Sequence, residues 1–298
     1  MKPAHLGLLL LFNVFWAATL SANKALAPHL GPGGIVTLRF GLAGLGMLAL
    51  WPLLPGRAPR GWDFAKAALM GGITFVLGQR LQVHGTQIGS AGNASVLMAA
   101  EPVLTAVAAS LFLREHVPTR RWVGFALGAL GVLLLCGLGR ADFHWTSVGA
   151  SLVFISSFFC EAAYSIMGKP LIERAGLLKV MTVALVSGLL LNLALDGPTT
   201  IAAARTLPPG AWLVVAYLAI LCTMIGYALW FVVIKECDVN VAVMTILAQP
   251  VAGVPIAMIW LDEKVHWGML WGSLAIVAGL FVGLKREGGG GRSDGVTE

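Results

Sequence analysis

The sequence predicts an all-α integral membrane protein: ten transmembrane helices forming two inverted five-helix repeats around a central cavity. Three observations carry this expectation. Of the 298 residues, 58% are hydrophobic and 11% charged, and the mean hydropathy is +0.84, a composition outside the range of soluble domains. Apolar stretches of roughly 20 residues, each about long enough to cross ~30 Å of hydrocarbon as a helix, follow one another along nearly the whole chain. The third observation is that the two halves of the chain match each other. Alternation of period two, the mark of a β-barrel, is absent from the sequence.

The spans fall near residues 5–27, 34–54, 65–88, 91–112, 121–138, 147–170, 177–195, 211–235, 239–261 and 266–285. Short segments rich in Pro or Gly separate them, among them "APHLGPGG", "PLLPGRAPRGWD", "GLGRADFHW" and "RTLPPG". These are turn signals, and none leaves room for a soluble domain. The first span follows Lys2 and precedes small residues, as a signal peptide would, but its place in the repeat argues that it is retained. The end, "EGGGGRSDGVTE", is too polar and glycine-rich to bury apolar surface and is expected to be a disordered cytoplasmic tail, residues 287–298. With the N-terminus in the cytoplasm, fourteen Lys and Arg fall on the inner side and six on the outer side or in outer helix halves. That asymmetry predicts both termini inside.

Shifting the sequence by 148 positions aligns Gly78 with Gly226, Ala94 with Ala242, Ala100 with Ala248 and Pro102 with Pro250. The match continues through Leu113 with Leu261, Glu115 with Glu263, Gly124 with Gly272 and Gly131 with Gly279. A shift of 145 aligns Ala17, Ala18 and Lys24 with Ala162, Ala163 and Lys169. The chain therefore divides into repeats at 1–140 and 141–286. Five spans is an odd number, so the second repeat must enter the membrane upside down, the arrangement that builds two gates around one site. A duplication kept for stability alone would leave the same trace.

Polar residues inside spans identify the candidate site. Pro102 has no N–H to offer the carbonyl of Met98, and Pro250 leaves the carbonyl of Ile246 in the same position, so kinks are expected at matching places. Such carbonyls need protein or water; Pro102 and Pro250 are read as bending points for the two ends of the cavity, or as static kinks. Glu101 aligns with Gln249. A charge near the bilayer centre costs about 2.5–3.5 kcal/mol even on the insertion scale, which calls for pairing, a wet cavity or a function. Arg80 and Glu101 both lie about ten residues from the turn near Ser90, hence at similar depth by helical rise. They are read either as a salt bridge between helices three and four or as a binding pair for a zwitterion.

On helix eight, Thr223, Tyr227 and Trp230 share one face, and the repeat maps them onto Phe75, Gln79 and Gln82. This is the mix of apolar wall and orienting polar groups that pockets use, with core packing as the plainer reading. Trp16, Asn13, Glu161 and Tyr164 are mid-span in helices one and six. Glu161, without an evident partner in its own helix, is the best candidate for taking up a proton or an amine. The candidate substrate-binding residues are thus Trp16, Gln79, Gln82, Met98, Glu101, Glu161, Tyr164, Tyr227 and Trp230. Arg39, His84 and Lys24 are read as outer-half residues satisfied by snorkelling or by carbonyls. Gly124, Gly128 and Gly131 on helix five, with Gly268, Gly272, Gly279 and Gly283 on helix ten, make small-residue faces for close packing or subunit contact.

These segments resemble the drug/metabolite transporter superfamily in its EamA-type exporter branch. The resemblance rests on "WAATLSANKAL", "GIVTLRFGLAGL", "SAGNASVLMAAEPVLTAVAASLFLREHVPTRRWVGFALGALGVLLL" and its second version, "DVNVAVMTILAQPVAGVPIAMIWLDEKVHWGMLWGSLAIVAGLFV". It covers nearly the whole chain, with one departure at Trp16-Ala17, where the family usually has Trp-Gly. It implies a ten-helix carrier with a central cavity that moves small metabolites, commonly amino acids, out of a bacterial cytoplasm; the inverted halves and kinks add alternating access, and the aromatic lining favours bulky apolar and aromatic amino acids among the substrates. Multidrug or other metabolite efflux is the alternative. Nucleotide sugars fit poorly because the spans hold no Lys or Arg cluster for a diphosphate. An enzyme lacks support in sequence: H-E-x-x-H, G-x-S-x-G and clustered Asp/His are missing, and no cofactor or metal is implied. A channel would need rings of like groups. The basic residues are scattered over short loops, which argues for topology and against nucleic acid; the partners expected are a small-molecule substrate and the lipid bilayer.

Overall fold

A computed structural model describes residues 3–101, 104, 119–135, 145–226, 229, 248–264 and 267–284. Among these residues the chain is helical throughout, without strands. Helix α1 is Pro3–Ala25, α2 Pro32–Ala49, and α3 runs over 62–88 as Trp62–Gly71, a π segment Gly72–Gly78 and Gln79–Ile88. Helix α4 begins as Ala91–Leu97 and tightens into a 3-10 turn, Met98–Ala100. Then come α5 Thr119–Leu135, α6 Trp145–Arg174, α7 Leu177–Thr206, and α8 as Pro209–Ala216 with a π segment Tyr217–Ile225. Helices α9 Ala248–Leu261 and α10 Trp267–Leu284 complete the described bundle.

The ends follow from local chemistry. Pro32 opens α2 and Pro209 opens α8, at the first turn, where a missing N–H costs nothing. Ser90 caps α4, its hydroxyl accepting the Asn93 N–H at 3.2 Å. Glu263 reaches the same end from the α9–α10 turn, accepting from Ser90 Oγ at 2.7 Å and from the Ala91 and Gly92 N–H groups at 2.9 Å each. A carboxylate there satisfies orphan donors and meets the positive end of the helix dipole.

Large apolar side chains point outward as well as inward: Ile259, Leu213 and Trp267 are exposed while Phe40, Phe75, Phe154 and Phe158 are fully buried. Only Pro32–Ala49 and Leu177–Thr206 among the described helices are long and apolar enough on their own to cross a membrane. Many of the others are interrupted, by π segments in α3 and α8 and a 3-10 turn in α4.

Helix α1 packs on α9, α6 and α7 both pack on α3, α2 packs on α7 and α8, and α5 packs on α10. The last pair is joined by glycines. A Cβ on Gly131 would lie 2.8 Å from the Gly272 carbonyl oxygen, and one on Gly279 2.6 Å from that of Gly124. The small-residue faces of the fifth and tenth helices are thus spent on each other within one chain.

Helix α7 departs from the expected span. The seventh stretch was expected to end at 195; instead it continues to Thr206 after Asp196 leaves helical geometry (φ −147°, ψ 23°). Pro198 explains the break, since it removes a donor two residues on.

Candidate functional site

The π segments place polar groups at mid-bundle. In a π turn one extra residue is accommodated, which rotates everything beyond it about the helix axis, and such bulges often mark functional positions. The segment in α3 delivers Gln79, and the one in α8 delivers Thr223. The Thr223 hydroxyl donates to the Leu218 carbonyl, five residues back, at 2.9 Å.

Gln79, 4% exposed, donates from Nε2 to Oε1 of Glu161 on α6 at 2.8 Å. Glu161 is therefore partnered across helices. Glu101 and Glu161 lie within electrostatic reach of each other, and Arg39 lies within reach of Glu161. Trp16 donates from Nε1 to the Cys222 carbonyl at 2.9 Å and stands edge-on to Phe12. The α1 backbone also accepts from α8: Tyr217 OH donates to the Phe15 carbonyl at 2.6 Å, and Cys222 Sγ to the same oxygen at 3.7 Å.

That last contact has a counterpart. Thr74 Oγ1 donates to the Cys160 carbonyl at 3.4 Å, and the shifts of 148 and 145 carry Cys222 to Thr74 and Phe15 to Cys160. The π segments also correspond, since 148 carries 72–78 to 220–226. Gln249, the counterpart of Glu101, donates to Asn13 Oδ1 on α1 at 2.9 Å.

Two expectations need correction. Arg80 does not pair with Glu101. Its Nη2 bonds Asp196 Oδ1 at 2.9 Å and its Nε bonds Asn192 Oδ1 at 2.8 Å, both on α7. Equal depth placed the two side chains at one height, but the azimuth of α3 turns Arg80 away toward α7. Asp196, a lone acid that hydropathy does not single out, also accepts from Thr37 at 3.4 Å, and a Cβ on Gly33 would run into its carboxylate, so a larger residue there must displace the Asp196 side chain. The signal was present as a lone acid in "LALDGPTT". The second correction concerns Met98. Its carbonyl accepts the Glu101 N–H, because a 3-10 turn replaces the bond that Pro102 cannot give, and no unsatisfied oxygen needs a cavity there.

Arg39 likewise does not snorkel: it is 5% exposed, its Nε donates to Thr223 Oγ1 at 3.1 Å, and its guanidinium lies 4.7 Å from the Phe40 ring centroid. Lys24 does sit on carbonyls, those of Gln87 and Gly89, and His84 is exposed. Gln82 is buried in α3 beside this site, and Met98 packs against a second core formed by Leu20, Leu97, Phe154 and Phe158. The side chain of Tyr164, Tyr227, Trp230 and Pro102, and the surroundings of Pro250, lie outside the described residues. No group of three or more His, Cys, Asp or Glu suited to a metal occurs among the described residues.

Interrupted helices that bring polar side chains together inside an apolar-surfaced bundle are a feature of multi-pass membrane transporters. The defining pattern of the EamA-like transporter family matches residues 5–137 and again 148–284, and the chain belongs to that family. An uncharacterized transporter, YyaM, of Bacillus subtilis (strain 168) is 26% identical over 273 residues, 86% of this chain and 88% of its own. A probable terminal-alkyne amino-acid exporter of Streptantibioticus cattleyicolor is 26% identical over 255 residues, 86% and 84% of the two chains. A probable amino-acid metabolite efflux pump of Salmonella typhimurium is 25% identical over 294 residues, 92% and 93%. One solved crystal structure superposes with a TM-score of 0.61 over 95% of this chain and 97% of that one at 17% identity, a likeness of fold.

Proposed function

We propose that this chain is an alternating-access carrier of the bacterial cytoplasmic membrane that exports amino acids, bulky apolar and aromatic ones included, and related small metabolites. The observation that carries the reading is the Gln79–Glu161 bond, a buried polar contact between α3 of the first half and α6 of the second. A polar pair of this kind inside a membrane bundle marks a substrate or proton pathway. Two named relatives, the exporter and the efflux pump above, handle amino acids or their metabolites by name. Efflux of other metabolites is the neighbouring reading.

In this proposal residues 1–140 and 141–286 are inverted repeats, with both termini cytoplasmic and 287–298 a cytoplasmic tail. The paired contacts Cys222–Phe15 and Thr74–Cys160, together with π segments at corresponding positions, support it. Trp16, Gln79, Gln82, Glu101 and Glu161 form the described part of the binding region; Tyr164, Tyr227 and Trp230 complete it, and Pro102 and Pro250 bend its two ends.

The test is uptake of labelled threonine, methionine, phenylalanine and tryptophan into liposomes carrying the purified protein, with and without an imposed pH gradient. Saturable uptake of at least one supports the reading, and its acceleration by the gradient would assign proton coupling. No saturable uptake of any of the four would remove amino acids as substrates.

A further inference from the structure

Two buried atoms of the central cluster lack hydrogen-bond partners among the described residues, and they are of opposite kind. Arg39 Nη1 is a donor with nothing to donate to, and Gln79 Oε1 an acceptor with nothing to accept. Burying a polar atom unpaired is costly, the more so on a charged group. One other nitrogen of each is committed: Arg39 Nε to Thr223 and Gln79 Nε2 to Glu161. Those bonds fix the plane of the guanidinium and of the amide, so the orphan atoms are held in place and do not wander in search of partners.

The charges are arranged in the same sense. Arg39 is within electrostatic reach of Glu161, yet its Nε bonds Thr223 and its guanidinium face lies on Phe40. A cation and an anion held apart in an apolar surround, each beside an unpaired atom matching its own sign, suit a ligand that carries both charges. Aromatic rings pack beside the guanidinium: Phe40 beneath Arg39, with its ring 5.1 Å from that of Phe75.

Resting on the carrier reading above, we propose that Arg39 is the residue that recognises the substrate's carboxylate, while Gln79 Oε1 and Glu161 take its ammonium group. The carrier is therefore selective for zwitterionic α-amino acids and discriminates against their carboxylate-blocked forms. A guanidinium supplies planar, charge-assisted donors to a carboxylate that a lysine ammonium cannot reproduce.

The experiment measures phenylalanine flux in proteoliposomes, with phenylalaninamide as competitor, for the natural protein and for Arg39→Lys. In the natural protein the amide is expected to compete at least tenfold more weakly than unlabelled phenylalanine. Arg39→Lys is expected to raise KM for phenylalanine about 10- to 100-fold, the range for a hydrogen bond to a charged group, with a smaller change in the maximal rate. Equal competition by the amide, or an unchanged KM in a folded Arg39→Lys protein, overturns the assignment while leaving the carrier reading intact. Absence of saturable flux in the natural protein for phenylalanine and for labelled threonine, methionine and tryptophan alike removes both. Should Arg39→Lys not fold, the competition on the natural protein decides alone.

Discussion

Glu161 is the residue whose charge the proposed transport cycle depends on most. Glu161→Gln keeps the side chain's shape and its ability to accept from Gln79 but removes the negative charge. It is expected to lower flux or flatten its dependence on pH, read from initial rates across pH 5.5 to 8.5, on the order of 3 pH units. Rates that overlay those of the natural protein at every pH would take Glu161 out of the mechanism. The Arg80–Asp196 pair carries a structural expectation. Both side chains are about a quarter exposed (25% and 23%), between the surface and buried regimes, so Asp196→Asn is expected to cost about 1–2 kcal/mol. Thermal melting in detergent checks this, and an unchanged Tm would contradict it. Neither pairing was legible beforehand. Sequence gives the height of a side chain in a span but not which neighbour its face meets, and so Arg80 was matched with Glu101 by depth alone. Arg39 differs from its outer-half expectation for a related reason: position along a span does not show that α2 is enclosed by α7 and α8.

Helices as units were more readable, because hydropathy and turn residues act locally. Each expected span has a described counterpart, in whole or in part, and the proline-rich starts and the Asp196-Gly197-Pro198 break lie where turn chemistry puts them. The π segments left no such sign. "GITFVLG" and "YLAILCTMI" are ordinary apolar sequence, and the extra residue per turn is set by packing against neighbouring helices. The α5–α10 contact is the place to test packing at this scale. Gly279→Leu must push the Gly124 carbonyl aside, and overpacking of this sort costs about 1–3 kcal/mol. A lowered Tm is expected; an unchanged one would mean the helices are not held at that distance. At the α4 start, Glu263→Ala leaves the Ala91 and Gly92 N–H groups without their acceptor. A loss of about 0.5–2 kcal/mol, as for other helix caps, is expected in the same melting experiment.

The whole molecule brings together what neither half holds alone. Gln79 meets Glu161, Arg39 meets Thr223, and Trp16 meets Cys222, each bond joining the first half to the second. In the carrier proposed above, a site assembled from both halves is the arrangement in which closing one end can be coupled to opening the other. Amino-acid transport by alternating access, as proposed, leaves its clearest mark in counterflow. Liposomes are loaded with unlabelled phenylalanine and diluted into a trace of labelled phenylalanine, without any ion gradient. A transient accumulation of label above equilibrium that saturates with concentration is expected. Label that only relaxes toward equilibrium, unaffected by the internal load, would indicate a pore and contradict alternating access.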